Sequence, residues 1–152
     1  RAGGFPGAEA YAIHRRWTDR LSEYDPRVAK RIQMAKDMSA ADLVELGLLR
    51  RSYMREVGAI LAPFDAFLIP TTPCIAPTIA EVDASDDAFF RWTMRIVRNV
   101  GVVNFLDGCA ASLPCHASGT PPVGISVCGV AMSDRHVLAA AQAIEGVLAA
   151  RN

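Results

Sequence analysis

The sequence lacks several of the residue patterns around which common catalytic and nucleotide sites are built. Lysine occurs only twice, as Lys30 and Lys36, and both belong to a short basic segment where solvent exposure is expected, so neither is the desolvated amine that nucleophilic chemistry requires. Neither Gly-x-x-x-x-Gly-Lys nor Gly-x-Gly-x-x-Gly is present. Ser126 lies in Gly-Ile-Ser-Val-Cys-Gly, one residue longer than a nucleophile elbow. We interpret it as a strand serine whose hydroxyl is satisfied by its neighbours.

No charge of one sign dominates, and no long apolar run is present. The 152 residues include 16 basic and 16 acidic side chains, which predicts neither a nucleic acid nor an anionic membrane as partner. No apolar run approaches the roughly 20 residues of a membrane span. The sequence starts with Arg instead of Met. We expect no signal peptide, and we expect the chain to be the interior of a longer, cytoplasmic protein.

The four cysteines are too dispersed for a metal site, and a domain of this size does not need disulfides for stability. Cys74, Cys109, Cys115 and Cys128 lack Cys-x-x-Cys spacing, and the closest pair has five residues between its members. We expect reduced thiols packed as small apolar groups, as in a cytosolic protein. The sequence therefore predicts no metal and no cofactor.

Helical periodicity and start signals describe the first half of the chain. A helix is expected over residues 9–21, and Asp25 followed by Pro26 is typical of a second helix start. Ser39 and Asp42 have the spacing of a capping box and would open the longest helix, over residues 40–61. An apolar stripe on this helix is expected to face inward: Leu43, Leu46, Leu49, Tyr53, Val57 and Ile60.

The second half alternates strands and helices, which predicts one mixed α/β domain with a sheet covered by helices. Residues 65–70 are apolar without alternation, so we expect a strand buried on both faces. An irregular proline-rich loop to about residue 85, a helix over 87–98, strands over 110–114 and 123–129, and a helix over 134–150 capped by Ser133 follow. Side chains expected to face inward on these helices are Phe90, Met94, Val97, Val137, Leu138, Ala141, Ile144 and Leu148.

Polar residues beside the predicted strands are the candidates for binding. Thr71 and Thr72 follow a buried strand, where α/β proteins place ligand-binding groups. Asp107 follows Asn104 by three residues at the mouth of a strand. It would serve a pocket or form an Asx-type turn that holds the following glycine.

Three histidines are possible bases, and two of them are expected to be ordinary surface residues. His14 and His136 lie near helical polar faces, where exposure is the default. His116 follows a strand and neighbours Cys115. Adjacent residues in a strand point to opposite faces, which disfavours a Cys–His pair.

The order of these segments resembles the C-terminal part of the amidase signature family, which includes the amidase-type component of glutamyl-tRNA amidotransferase and many bacterial amidases. The resemblance runs over nearly the whole chain in the same order. It is carried by residues 9–14, 24–28, 39–42, 64–73, 98–99 and 104–129, with Ser133-Asp134 and the last helix after them.

This resemblance implies an amide hydrolase whose catalytic residues lie outside the chain. Family members cleave carboxamides with a serine nucleophile, a second serine in a cis peptide bond and a lysine base, all in the N-terminal half. Nothing here matches those motifs, so no catalytic residue is assigned. Residues 1–152 would be the C-terminal part of an amidase signature domain, a portion of its mixed sheet covered by helices. The N-terminal catalytic half would be absent and the chain inactive alone.

By position in the family, five side chains would line part of the substrate funnel of the parent enzyme. These are Thr71, Thr72, Arg98, Asn104 and Asp107. Asp107 departs from the small or apolar residue common at its position. The partners implied are the missing N-terminal half and a small-molecule amide.

Two other functions are compatible with the sequence. The chain could be a non-catalytic binding module on a truncated amidase scaffold, or an independent cysteine hydrolase that uses Cys115 and His116. For an isolated C-terminal part, apolar strands would leave exposed hydrophobic surface and an unpaired edge. We therefore expect self-association, which sedimentation would detect.

Overall fold

The computed structural model describes residues 4–150, which form two units that divide between Ser52 and Tyr53. The first contains α1 (Gly4–His14), a 3₁₀ helix (Arg15–Glu23), α2 (Pro26–Gln33) and the beginning of α3 (Ala40–Leu61). The second contains the end of α3, then β1 (Phe67–Pro70), α4 (Ile79–Asp83), α5 (Asp86–Ile96), α6 (Arg98–Phe105), β2 (Cys109–Pro114), β3 (Gly124–Gly129) and α7 (Asp134–Ala149). None of the helices in residues 4–150 has the length and apolar character needed to cross a membrane.

The two predicted helix starts in the first unit are confirmed. Asp25 Oδ1 accepts hydrogen bonds from the backbone N–H groups of Arg27, at 2.9 Å, and Val28, at 3.2 Å. Ser39 Oγ accepts from the N–H of Asp42 at 3.1 Å, while Asp42 Oδ2 accepts from the N–H of Ser39 at 3.0 Å. These contacts satisfy backbone donors that have no partner within the helix.

The predicted helix over residues 9–21 is wrong beyond His14, where the 3₁₀ helix begins. Trp17 and Arg20 depart from helical backbone angles, with φ of −120° and −109°. Residues 15–20 are exposed, so no packing favours a continued α-helix. The turn instead brings His14 Nδ1 to 2.9 Å from the hydroxyl of Tyr24. His14 is therefore half-buried and hydrogen-bonded, which corrects the expectation of an exposed histidine.

The sheet has three antiparallel strands in the order β1-β3-β2. Helix α7 packs against β2 and β3, and the mixed α/β prediction is confirmed. Ile69 and Ser112 both lie opposite Ser126 in the register, which places these three side chains on one face. The prediction that β1 is buried on both faces is wrong. Leu68 lies opposite Val127 on the face that packs against α7, yet it is 51% exposed because α7 packs mainly on β2 and β3 and leaves the edge strand β1 uncovered.

The core of the second unit lies between α7 and the opposite face of the sheet. Leu113 and Val127 contact Ala141, with Ile144 and Leu148 packed around them. Val137 is also buried. The expected inward position of Leu138 is wrong, since this residue is 62% exposed and lies about 100° around the helix from the Val137 stripe.

Helix α7 begins where Ser133 was expected to cap it, but the serine side chain does not cap the helix. Its Oγ instead donates to the carbonyl of Val130 at 2.6 Å and lies 3.4 Å from Cys109 Sγ. The preceding residue, Met132, has a φ of 64°, and this tight turn directs the serine back toward β3.

The predicted helix over residues 87–98 is confirmed as α5, and a further helix that was not predicted, α6, follows it directly. Met94, at 63% exposure, and Val97 do not face inward as expected, while Phe90 is half-buried. The proline-rich loop contains α4, which starts at a capping box formed by Thr78 and Glu81. The Thr-x-x-Glu spacing was present in the sequence as a helix-start signal.

The expected apolar stripe of α3 is only partly covered. Leu46, Tyr53 and Val57 are half-buried, whereas Leu43, Leu49 and Ile60 are exposed. Periodicity predicted which face of α3 is apolar, but other side chains among residues 4–150 bury only part of that face.

We predict that Gly108→Ala destabilises the fold. A Cβ at Gly108 would collide with the backbone carbonyl oxygen of Gly129 and lie 3.2 Å from Val103 Cγ1. Backbone cannot yield as a flexible side chain does, so we expect a loss of about 1–3 kcal/mol in the free energy of unfolding, measured by denaturant titration.

Gly101→Ala is the matched control. It lies within α6, where an added Cβ meets nothing within 4 Å. It should stabilise the fold by up to about 1 kcal/mol. Equal destabilisation by both variants would contradict the steric explanation.

Candidate functional site

Three hydroxyl groups meet at the C-terminal end of β1. Thr71 Oγ1 lies 2.7 Å from Ser112 Oγ and 2.8 Å from Ser126 Oγ. Ser112 and Ser126 are register partners on β2 and β3, and the N–H of Thr71 donates to the carbonyl of Gly124 at 2.9 Å. We call Thr71, Ser112 and Ser126 the hydroxyl cluster.

The absence of a side chain at Gly124 provides the room for this cluster. A Cβ there would lie 2.9 Å from both Ser112 Oγ and Thr71 Oγ1, closer than side-chain atoms normally approach. Ser126 is only 7% exposed, while Ser112 is exposed. The hydroxyl cluster therefore runs from the interior to the surface.

The hydroxyl cluster has more donors than its internal contacts use. Each hydroxyl carries one proton, so three protons serve the two hydrogen bonds of the cluster. One O–H group remains to donate outside the cluster. Ser112 is the exposed member of the cluster, so an acceptor oxygen from outside would reach the cluster there.

Two further predicted residues lie beside the hydroxyl cluster. Thr72 Oγ1 donates to the carbonyl of Cys74 at 2.9 Å and so closes the start of the proline-rich loop. Asn99 Nδ2 donates to the carbonyl of Pro70 at 2.8 Å, and Arg98 Nε donates to Asn99 Oδ1 at 3.3 Å. The structure thus connects Arg98 through Asn99 to the residue before Thr71.

Asn104 and Asp107 lie at the other end of the sheet. The N–H of Asp107 donates to the carbonyl of Asn104 at 3.2 Å, and Asp107 has a φ of 63°, which aspartate tolerates better than most residues. The next residue, Gly108, adjoins Gly129 at the end of β3, whereas the hydroxyl cluster adjoins Gly124 at its start. Five steps along a strand span about 17 Å. The five predicted residues therefore form two separate groups.

A cavity of about 560 Å³ opens at the Gly129 end. Its lining is mostly apolar and includes Met54, Leu61, Phe67, Leu106 and Cys128, and its polar side chains are those of Asp65, Ser133 and His136. Burial raises the pKa of the Cys128 thiol to about 11, and the neighbouring Cys109 adds to the rise. Cys128 is thus a packing residue at ordinary pH.

Cys115 and His116 do not form a catalytic pair in the described residues. Cys115 Sγ lies 3.5 Å and His116 Nδ1 3.3 Å from the carbonyl oxygen of Val123. Both side chains therefore contact the same backbone acceptor, with no hydrogen bond joining thiol and imidazole. All four cysteines are free thiols. Within residues 4–150, no group of three or more His, Cys, Asp or Glu side chains could hold a metal ion.

Comparison with known proteins places this fold in a family. The family model for amidases matches residues 11–138. The chain belongs to the amidase family. No curated protein sequence matches it.

Solved structures similar to this amidase-family chain include two forms of allophanate hydrolase from Kluyveromyces lactis. The selenomethionine-substituted enzyme is 26% identical with a TM-score of 0.75, over 93% of this chain and 23% of its own. A single-substitution variant is 27% identical with a TM-score of 0.72, over 89% of this chain and 22% of its own. A further structure, described as an amidase, is 21% identical with a TM-score of 0.70 and supports the fold alone, over 99% of this chain and 36% of its own. The chain thus spans about a quarter to a third of the length of these proteins.

The sequence identified part of the candidate site and missed the rest. Thr71 was expected from its position after a strand, and Ser126 was correctly interpreted as a satisfied strand serine. Ser112 and Asn99 were not singled out. Ser112 is 41 residues from Thr71, and only the strand register brings the two together.

Thr71→Val should destabilise the amidase-family chain more than Thr72→Val. Valine keeps the shape of threonine but removes the hydroxyl, which leaves the buried Ser126 without the partner described above. We expect a loss of about 1–3 kcal/mol in the free energy of unfolding for Thr71→Val, and about 0.5–1.5 kcal/mol for Thr72→Val.

A double-mutant cycle with Ser126→Ala tests the hydrogen bond itself. Once Ser126 lacks its hydroxyl, Thr71→Val should cost less than it does in the wild-type chain, with a coupling of about 0.5 kcal/mol or more. Additive effects of the two substitutions would show that the two hydroxyls do not interact.

Thiol alkylation should distinguish the cysteines. At pH 8, Cys115, which is exposed, should react with iodoacetamide at the rate of an ordinary exposed thiol, while Cys128 stays unlabelled until the protein unfolds. Because the folded pKa of Cys128 lies above the ordinary value of 9.0, its thiol stabilises the fold below about pH 9, and this contribution is lost as the pH rises towards 11. Peptide mass mapping gives the labelling rates. An unusually fast Cys115 would favour the cysteine-hydrolase alternative.

Proposed function

We propose that the chain is the C-terminal segment of an amide hydrolase and supplies scaffold and part of the substrate funnel. The observation that carries this proposal is the similarity to allophanate hydrolase, which extends over 93% of this chain but only 23% of that protein. The family match over residues 11–138 supports the same reaction class. The reaction would be cleavage of a carboxamide C–N bond by water, which yields a carboxylate and ammonia or an amine.

In this proposal the nucleophile and base belong to an N-terminal part outside the chain. Both lysines are exposed. Lys30 lies in α2, and Lys36 lies in the turn after it. Neither lysine is therefore the buried amine that a lysine base or nucleophile requires. The Ser–cis-Ser–Lys mechanism implied by the resemblance would thus operate elsewhere, with this chain inactive alone.

The role of the present chain in catalysis would be to bind and orient the substrate. The unused O–H of the hydroxyl cluster would donate to a substrate oxygen, and the Arg98 guanidinium would attract a carboxylate or a polarised carbonyl. Asn104 and Asp107 would form a second polar group at the opposite end of the sheet. By similarity, small ureido amides such as allophanate are the preferred substrate class.

Exposed apolar groups support the proposal that further protein covers the second unit. Leu68 on the edge strand β1 is half exposed, and Phe64 before it is exposed. On the other edge strand, β2, Ala110 and Ser112 are exposed and carry no charge that would discourage pairing. The proposed occupant is the N-terminal half of the amidase, with self-association as the outcome in its absence.

The runner-up is a non-catalytic binding module on the amidase scaffold. One observation favours this alternative. The hydroxyl cluster is held by hydrogen bonds within residues 4–150, so it forms without a group from another part of a longer protein. We further propose that the parent protein resembles the amidase-type component of glutamyl-tRNA amidotransferase and is cytoplasmic.

Ammonia release is the direct test. We expect no release above the buffer rate from allophanate, acetamide or glutamine with the purified chain. A protein in which an amidase N-terminal half precedes this sequence should release ammonia, and Thr71→Val in that protein should raise KM about three- to tenfold with kcat less affected. Thr72→Val is the matched control, with a smaller change in KM.

Activity of the chain alone would contradict the proposal. If that activity disappeared in Cys115→Ser, the cysteine-hydrolase alternative would hold. If the longer protein were inactive but bound the amides, the binding-module alternative would be favoured.

A further inference from the structure

A pocket in the first unit is lined by hydrogen-bond donors and lacks any carboxylate. It has a volume of about 620 Å³. Its polar lining residues are Tyr11, Arg15, Arg16, Thr18, Gln33 and Lys36. Guanidinium and ammonium groups only donate hydrogen bonds, so three of the six groups are obligate donors with positive charge.

The amide of Gln33 provides an independent indication of a ligand. Its Nε2 is buried and has no hydrogen-bond partner in residues 4–150. A buried donor without an acceptor is costly, and such groups in proteins usually pair with a partner, water or ligand. Gln33 lines the pocket, so a rotation of its amide about the last side-chain bond would turn this nitrogen toward the pocket, where a bound oxygen atom would supply the missing acceptor.

The cations around the pocket are partly held in position. Arg16 Nε donates to the carbonyl of Ile13 at 3.0 Å, and its guanidinium carbon lies 4.8 Å from the centre of the Trp17 ring. The terminal nitrogens of Arg16 are therefore positioned by two contacts. Tyr11, Arg15 and Lys36 also line an adjoining cavity of about 320 Å³, which shows that these three side chains converge.

The local charge is positive although the chain as a whole is neutral. Between positions 15 and 36 the sequence has seven basic residues: Arg15, Arg16, Arg20, Arg27, Lys30, Arg31 and Lys36. The same segment has three acidic residues, Asp19, Glu23 and Asp25. Arg20 is paired with Glu23 at 2.6 Å, and Asp25 accepts from the backbone of α2. Two of the three acids are therefore engaged away from the pocket.

We propose that this pocket binds the phosphate group of a small molecule. A tetrahedral anion with two charges matches several donors that converge from different directions, whereas a single carboxylate would use fewer of them. The volume lies within the range of small-ligand pockets and exceeds what a free ion needs. The inference does not depend on amide hydrolysis.

Nuclear magnetic resonance titration of the full chain tests this site directly. The probes are inorganic phosphate and phenyl phosphate, with acetate and sodium chloride at matched ionic strength as comparisons. We expect saturable shifts of the Gln33 side-chain amide signals, which are assigned by their loss in Gln33→Leu. Phenyl phosphate should bind at least as tightly as phosphate, and acetate more weakly than both.

The two lysines supply a matched pair of variants. Lys36→Ala and Arg15→Ala should each weaken phosphate binding roughly three- to fivefold, as expected for exposed charge contacts. Lys30→Ala also removes one positive charge, but Lys30 lies in α2 and does not line the pocket. This variant should therefore change the affinity for phosphate less than twofold. Circular dichroism checks that every variant keeps its fold.

Three results would each overturn the proposal. The first is a shift of the Gln33 amide signals without saturation up to about 10 mM phosphate, and the second is binding of acetate as tightly as phosphate. The third is an equal loss of phosphate affinity in Lys30→Ala and Lys36→Ala. If free phosphate bound more tightly than phenyl phosphate, the ligand would be the free ion, and the proposal of a phosphate ester as ligand would be wrong. Failure of amide hydrolysis would leave these measurements unaffected.

Discussion

The register of β3 between its two neighbours is the constraint on which both the core and the candidate site depend. Val127 points to the face covered by α7, and Ser126 points to the face that carries Thr71 and Ser112. A slip of one residue would exchange the two faces. The hydroxyl of Ser126 would then enter the apolar core without a partner, and Val127 would lose its contact with Ala141. One pairing therefore fixes the packing and assembles the hydroxyl cluster.

Close backbone approach at the ends of β3 supports this register. Gly124 leaves room for the hydroxyl cluster, and Gly129 lies against Ser133, with Val137 Cγ2 2.7 Å from where a Cβ would be. The first glycine serves the candidate site, and the second allows α7 to pack closely on the sheet. Larger residues at these positions would force apart elements that the antiparallel pairing brings together.

Features set by neighbours in sequence could be predicted, and features set by distant packing could not. The caps at Asp25 and Ser39 depend on backbone groups within three residues, so local spacing was sufficient. Apolar periodicity reports which residues prefer burial, but not whether another element covers them. Leu68, Leu138 and Ile60 were expected to be buried for that reason and are exposed.

The candidate site illustrates the same limit. Thr71 could be predicted from its position after β1, but its partners Ser112 and Ser126 are 41 and 55 residues away. Arg98 and Asn104 are close in sequence, yet they lie at opposite ends of the eight-residue helix α6, which spans about 10 Å. Proximity along the chain suggested one group of polar residues where the fold forms two.

The net charge of the chain likewise did not predict the local distribution of charge. Equal numbers of acidic and basic residues implied that no anionic partner of the whole chain was expected. Electrostatic attraction acts over roughly 10 Å at ordinary ionic strength, so the sum over the chain does not describe the field at any one pocket. Arg15, Arg16 and Lys36 line one pocket, and the lining includes no acidic residue. A neutral chain can thus attract a small anion at one site, and the buried amide of Gln33 distinguishes that site from an ordinary basic surface.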